Sequence, residues 1–200
     1  MISEHASPLA TLGGEDSGGQ NVYVAELARR LGAMDHRVDV FTRRDSDLLP
    51  EVVPFGEGVR VVNLPAGPPE SVPKDDLFPF MAELRDTFYQ FVREEPDAYD
   101  LVHANFWMSG WVACGAKRDL GLPFAQTFHA LGETKQREQG ARDTSPHERQ
   151  SAEFRILEEV ERVLATCPAE VEELTTLYEA DPTRLSLVPC GVDTGTFRPL

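Results

Sequence analysis

Apolar residues along the chain switch between the two-residue spacing of a strand and the three-to-four-residue spacing of a helix. Val24, Leu27, Ala28 and Leu31 stand at i, i+3, i+4 and i+7, which predicts a helix from Gly18 that Gly32 closes. "HRVDVFTR" (36–43) alternates as a strand, and "GVRVVNLP" (58–65) supplies another. Met81, Leu84, Phe88, Phe91 and Val92 form the stripe of a long helix, with Pro79 in its first turn. "YDLVHAN" (99–105) and "LPFAQTFH" (122–129) read as buried parallel strands, with a helix near 108–120 between them. Ser145-Pro146-His147-Glu148 has the form of a helix start, with Ser at the cap, and Ala152, Ile156, Leu157 and Val160 carry that helix inward. "RVLATC" (162–167), "PAEVEELTTLYEA" and "LSLVP" (185–189) complete the series as strand, helix and strand. "MISEH" reads as the tail of a first strand, and 130–146, polar and without period, as a long loop.

This alternation predicts an α/β fold, a Rossmann-like parallel sheet flanked by helices, in residues 1–189. The closing "CGVDTGTFRPL" has two glycines and a proline and reads as the start of a linker, 190–200. Two hundred residues, 41% apolar and 26% charged, suit one soluble domain. No apolar run approaches the roughly 18 residues of a membrane span, and no basic-then-apolar leader opens the chain, so a cytoplasmic protein without a transmembrane anchor is expected. The net charge of −15 argues against nucleic acid or an anionic membrane as a partner. Adaptation to salt and an ordinary acidic surface explain that charge equally well. Cys114, Cys167 and Cys190 lie far apart with no CxxC pair, which predicts small buried hydrophobes rather than a zinc site or a disulfide framework.

Ligands of open parallel sheets bind beyond the carboxyl ends of the strands. That rule gathers the 13–21 loop, the region of Lys74, the stretch from His103 to Phe106, and His129 onward. "GGEDSGGQNVYVAEL" (13–27) puts four glycines ahead of a helix, where bare backbone admits a phosphate to the helix N-terminus. It is neither GxGxxG nor a P-loop, and a plain tight connection accounts for it as well. His129, ending an apolar strand, is either a structural cap or a reactive group; His103 reads as a hydrogen-bonded core histidine, and His5 could be either. Lys74 is one of only three lysines; Lys135, Arg137, Arg142 and Arg149 concentrate positive charge that Glu133, Glu138, Asp143 and Glu148 dilute. Phe106, Trp107 and Trp111 read as core more readily than as a wall for stacking sugars. No metal-ligand cluster, GxSxG or Cys-His arrangement is present, and Glu15, Asp16 and Glu133 have no spacing that fixes an acid/base pair.

Taken in order, "SEHASPLATLGGEDSGGQNVYVAELARRL", "AGPPESVPKDDL", "VHANFWMSGW", "QTFHALGETK" and "VPCGVDTGTFRP" resemble the amino-terminal half of family 4 retaining glycosyltransferases, over nearly the whole chain. The resemblance implies half of a two-domain GT-B fold and no cofactor. A nucleotide sugar serves as co-substrate, bound mainly by a carboxyl-terminal domain that this chain does not include, so the chain alone is expected to be inactive. It implies backbone approach to the donor diphosphate at Gly13 and Gly14, contact of Asp16 and Asn21 with acceptor hydroxyls, and a bond from His129 to the transferring sugar. Lys74 and Arg149 match positions that hold an acceptor phosphate in the inositol-phosphate members, where a tyrosine stands in place of Phe106 and a threonine in place of Ala130. Asn105 replaces a histidine of the "HxHFW" version, making Asn105 and Phe106 candidates for the site wall. The implied reaction is metal-independent transfer with retention to a small acceptor, a polyol or sugar with or without phosphate; the alternative is a non-catalytic sugar- or phosphate-binding module of the same fold.

Overall fold

A computed structural model describes residues 1–10, 18–95, 98–195 and 197–198. The first residues, with Ile2 at a bridge position, pass through the middle of the sheet. They lead to helix α1 (Gly19–Gly32), then strands β1 (Val38–Arg43), β2 (Val52–Gly56) and β3 (Val59–Leu64). Helix α2 (Met81–Glu94), β4 (Val102–Asn105), α3 (Trp107–Leu120) and β5 (Phe124–Thr127) follow, then α4 (Gly132–Gln139) and α5 (Glu148–Glu159). β6 (Arg162–Ala165), α6 (Pro168–Leu177) and β7 (Leu185–Leu187) end the series.

β1 pairs with β3, and β4 through β7 pair in order, all in parallel. Ile2 joins the two groups, bridging Phe41 of β1 and Ala104 of β4 in parallel. Its amide donates to His103 O, and its carbonyl accepts from Asn105 N, both at 2.9 Å. The order is therefore β2-β3-β1-(Ile2)-β4-β5-β6-β7, and it reverses direction at the Ile2 segment.

Alternation along β1 and β3 divides the core between the two faces. Val38, Val40, Val59 and Val61 pack with Val24 and Ala28 of α1, whereas Phe41, Val62 and Leu64 join Leu84 and Phe88 of α2. α3 comes close to α5 at Gly110, where a Cβ would stand 2.4 Å from Gln126 Oε1 and 2.6 Å from Ile156 Cδ1. Gly32 does end α1, but through packing: a Cβ there would lie 2.3 Å from the Glu57 carbonyl oxygen. Arg43, buried at the end of β1, donates to the carbonyls of Ala66, Pro68 and Glu70 and clamps the connection leading to Lys74.

The alternating pattern and the parallel sheet agree with the sequence. Four expectations do not. Residues 130–146 are not a continuous loop, because α4 and a 3-10 turn, Gly140–Arg142, form within them. Only Gly132 of α4 is buried, and the helix carries no apolar stripe. Its first turn is held from outside, by Glu153 accepting from Gly132 N and Tyr178 Oη accepting from Glu133 N. Ser145 does not cap α5, whose cap position is His147; the serine hydroxyl instead accepts from Lys135 and Arg149. β2, absent from the sequence reading, pairs antiparallel at the sheet edge, where Pro54 is tolerated. Only Cys114 is a buried small hydrophobe, while Cys167 and Cys190 are exposed on the connections that follow β6 and β7.

Candidate functional site

The connections leaving the carboxyl ends of the strands enclose a cleft of about 610 Å³ beside the reversal in strand order. His5 enters it from the first segment, Lys74 from beyond β3, Phe106 from the end of β4, and His129 from the end of β5. Gly18 to Asn21, the start of α1, form the facing wall. A larger hollow, about 1010 Å³, lies at the amino ends of β1 and β3 and includes Asp35, Asp39, Glu95 and Asp100. Its position and its acids make it the poorer candidate for a ligand of a parallel sheet.

No carboxylate is among the described residues lining the smaller cleft, although the chain carries 34 acids. A Cβ at Gly18 or Gly19 would meet nothing within 4 Å among the described residues. The first amides of a helix lack intrahelical partners and carry its positive dipole end, which suits an anion. Asn21 braces this turn: its Oδ1 accepts from Gly18 N at 3.0 Å and its Nδ2 donates to Ser7 O at 2.9 Å. Gly13, Gly14, Glu15 and Asp16 lie outside the described residues.

Two side chains in the cleft stand on strained backbone. His129 has φ 62°. Phe106 has φ 78° and ψ 162°, a region otherwise left to glycine. Such conformations cost about 1–3 kcal/mol each and persist where surrounding contacts impose them. The contacts here are specific: Phe106 N donates to Thr127 O at 2.9 Å, and Gln126 Nε2 donates to Phe106 O at 3.0 Å. The Phe106 ring has two cations close to it, Lys74 Nζ at 5.7 Å and the Arg149 guanidinium at 5.0 Å from its centroid. His5 meets its edge, centroids 5.0 Å apart.

Lys74 is half-buried and lines the cleft without an ion pair among the described residues. Arg149 is different. It is buried, its Nε donates to Glu153 at 2.9 Å, and its two terminal nitrogens donate to Ala130 O and Ser145. It stands behind Phe106 and is not among the cleft-lining residues. Lys135 is similarly engaged, with Asp75 at 3.4 Å and Asp143 at 3.1 Å.

His129 packs edge-on against Tyr23, centroids 4.9 Å apart, and its Nε2 lies 3.1 Å from Asn105 Oδ1. Burial, with a smaller contribution from His5, pushes its pKa down to about 4, so the imidazole is neutral at physiological pH. His103 is a core histidine as expected, bonded through Nε2 to Thr127 Oγ1 at 2.9 Å and held near 3 by burial. Trp107 is buried against Phe78 and belongs to the core. The sequence reading missed Tyr23, Thr166 and Cys190, which also line the cleft. It also missed Glu4, whose buried carboxylate holds His5 Nδ1 at 2.8 Å. The adjacent Glu-His pair was the available signal for that contact. Among the described residues, no three His, Cys, Asp or Glu side chains group as a metal site, and no helix is long and apolar enough to cross a membrane.

Residues 17–196 match the sequence model of Glycosyltransferase Family 4. The chain belongs to this family. Among its relatives within glycosyltransferase family 4 are a D-inositol 3-phosphate glycosyltransferase 2 of Catenulispora acidiphila, 38% identical, and a D-inositol 3-phosphate glycosyltransferase of Kineococcus radiotolerans, 39% identical. Both alignments cover 100% of this chain but only 47% and 46% of the relative, so the chain spans about half their length. A solved sucrose-phosphate synthase from Thermosynechococcus elongatus superposes with a TM-score of 0.92 at 32% identity, covering 100% of this chain and 49% of that one. The fold is that of the amino-terminal half of a GT-B glycosyltransferase.

Proposed function

We propose that this chain is the acceptor-side half of a retaining, metal-independent glycosyltransferase. It would move a sugar from a nucleotide sugar to a small polyol or sugar, with or without a phosphate. The observation that carries this reading is the cleft itself, where the glycine start of α1, Lys74 and the neutral His129 meet and no described lining residue is a carboxylate. The named activities of the relatives, on inositol phosphate and in sucrose-phosphate synthesis, support it.

In the step this implies, the bond between the anomeric carbon and the diphosphate oxygen breaks as the acceptor oxygen bonds to that carbon on the same face. The acceptor's proton passes to the departing diphosphate, so no protein nucleophile is required. Negative charge grows on the leaving group, where the first amides of α1 would stabilise it without reorganising, while Lys74 would hold the phosphate of a phosphorylated acceptor. His129, uncharged, would hydrogen-bond the transferring sugar. The absent carboxyl-terminal half would supply most contacts with the nucleotide. Gly13, Gly14 and Asp16 keep their proposed places at donor and acceptor, as does Asn21, whose brace shapes the turn. Arg149 would act on an acceptor phosphate from behind Phe106.

The test is transfer by the full-length polypeptide, with nucleotide sugars screened against free and phosphorylated sugars and inositols. The product's anomeric configuration is read by proton NMR. A product with the donor's configuration is expected. An inverted product would overturn the mechanism, and ligand binding without transfer under any pairing would favour the non-catalytic module.

A further inference from the structure

Asn105 ends β4 with 0% of its surface exposed, and its amide is oriented from both ends. Nδ2 faces two main-chain carbonyls, Ile2 O at 3.4 Å and His103 O at 3.3 Å. Oδ1 faces His129 Nε2 at 3.1 Å. The reverse orientation would set the amide oxygen against two carbonyl oxygens that already accept main-chain bonds, leaving that buried oxygen without a donor and facing two repelling acceptors. Only the first orientation satisfies the groups present. An amide oxygen can only accept, so the hydrogen of this bond belongs to His129 Nε2. A neutral imidazole carries one ring hydrogen, so Nδ1 is left with its lone pair.

We propose that Asn105 is a positioning residue that locks His129 in the tautomer with its hydrogen on Nε2, leaving Nδ1 to accept a hydrogen bond from a hydroxyl of the sugar in the cleft. This deepens the glycosyltransferase reading and rests on it. The cleft then has two chemically distinct ends. At His129 an unshared electron pair welcomes a hydroxyl and repels a phosphate oxygen, which has no hydrogen to give. At Lys74 and the start of α1, cation and amides prefer the anion. A sugar phosphate or nucleotide sugar would be oriented by that difference alone.

The other groups facing His129 are compatible with this assignment. Tyr23 of α1 approaches edge-on, His5 and Glu4 act from the first segment, and His103 lies on β4. Glu4, the one acid in this set, is engaged by His5 Nδ1 and by the Ser109 hydroxyl, so Asn105 is the only one of these neighbours hydrogen-bonded to His129.

Nitrogen NMR of the histidine-labelled chain at pH 7, with His129 assigned through His129→Gln, reads the tautomer directly. A protonated Nε2 and an unprotonated Nδ1 are expected; the reverse tautomer, or a ring protonated on both nitrogens, overturns the proposal. Asn105→Asp in the full-length protein supplies the functional readout. A carboxylate against Nε2 favours the imidazolium, which has no lone pair to offer. At pH 7 kcat/KM should fall by up to about 10²-fold, the limit set by one lost prearranged hydrogen bond. It should recover as pH rises through the new His129 pKa, while the wild type stays flat over that range. Unchanged turnover, or a loss that pH does not restore, overturns the positioning role. Should the variant not fold, the wild-type tautomer still decides. If the full-length protein transfers no sugar although the tautomer is as stated, the glycosyltransferase reading fails and the Asn105–His129 lock survives it.

Discussion

Replacing Arg149 with methionine would strip the cation from a carboxylate that has no access to water. Glu153 is 0% exposed and Arg149 only 3%. Burial drives the Glu153 pKa up, opposed by Arg149, the Tyr178 hydroxyl and the Gly132 amide. Removing one member of a buried pair costs about 3–5 kcal/mol, because the remaining charge stays buried without compensation. Set against the ordinary 5–15 kcal/mol of total stability, that is a large share. At about 2–4 °C per kcal/mol for a domain of this size, the melting temperature at pH 7.5 should fall by roughly 6–20 °C. The pH dependence has a definite sign. A carboxyl whose folded pKa lies above its unfolded value is destabilising once pH passes the unfolded pKa, and that loss is complete above the folded pKa. Loss of Arg149 raises the folded pKa further, so the deficit should narrow as pH falls from 7.5 to 5.5. Thermal melts of Arg149→Met, Glu153→Gln and the double variant at both pH values test this. The double variant should recover most of the loss, since a neutral pair of similar shape is often tolerated. A deficit under about 2 °C, one that pH does not alter, or strict additivity of the two substitutions would refute the reasoning.

Lys74→Ala should weaken binding of a phosphorylated acceptor by about 10- to 100-fold, the value of one hydrogen bond to a charged group, while an unphosphorylated analogue changes little in calorimetry. Equal effects on both would mark Lys74 as a surface charge. His103 and His129, held near 3 and 4 by burial, take up protons near 6.5 only when unfolded. Their contribution is therefore complete above 6.5 and is lost as pH falls toward 4, at about 1.4 kcal/mol per pH unit for each histidine. Urea unfolding between pH 7 and 5 should show this slope, and His103→Gln should remove part of it; an unchanged slope would contradict the burial argument.

The parallel sheet was legible because its signals are local. β1 and β3 are rich in β-branched residues, and α1 carries a single stripe. What escaped was held by distant residues. α4 has no apolar face of its own and starts where Glu153 and Tyr178 offer partners to its first amides. β2 mixes half-buried residues with a proline and gains its structure from pairing with β3. In the site, Lys74 and His129 were readable from the strand-end rule, since both follow strands that terminate on one rim. That Arg149 would spend its donors on Glu153, Ala130 and Ser145 was not readable, because α5, β5 and the connection between them meet only in three dimensions. The backbone strain at Phe106, whose ring has two cations close to it, left no trace in residue type.

Sugar transfer by the full-length protein carrying His129→Ala, measured as kcat/KM beside its melting temperature, bears most directly on the claim that this cleft is where transfer occurs. Loss of one prearranged hydrogen bond to the reacting sugar predicts a fall of about 10²–10³, with a melting temperature lowered by no more than about 12 °C, since the buried Asn105 Oδ1 also loses its partner. Wild-type turnover in a folded His129→Ala variant would contradict it.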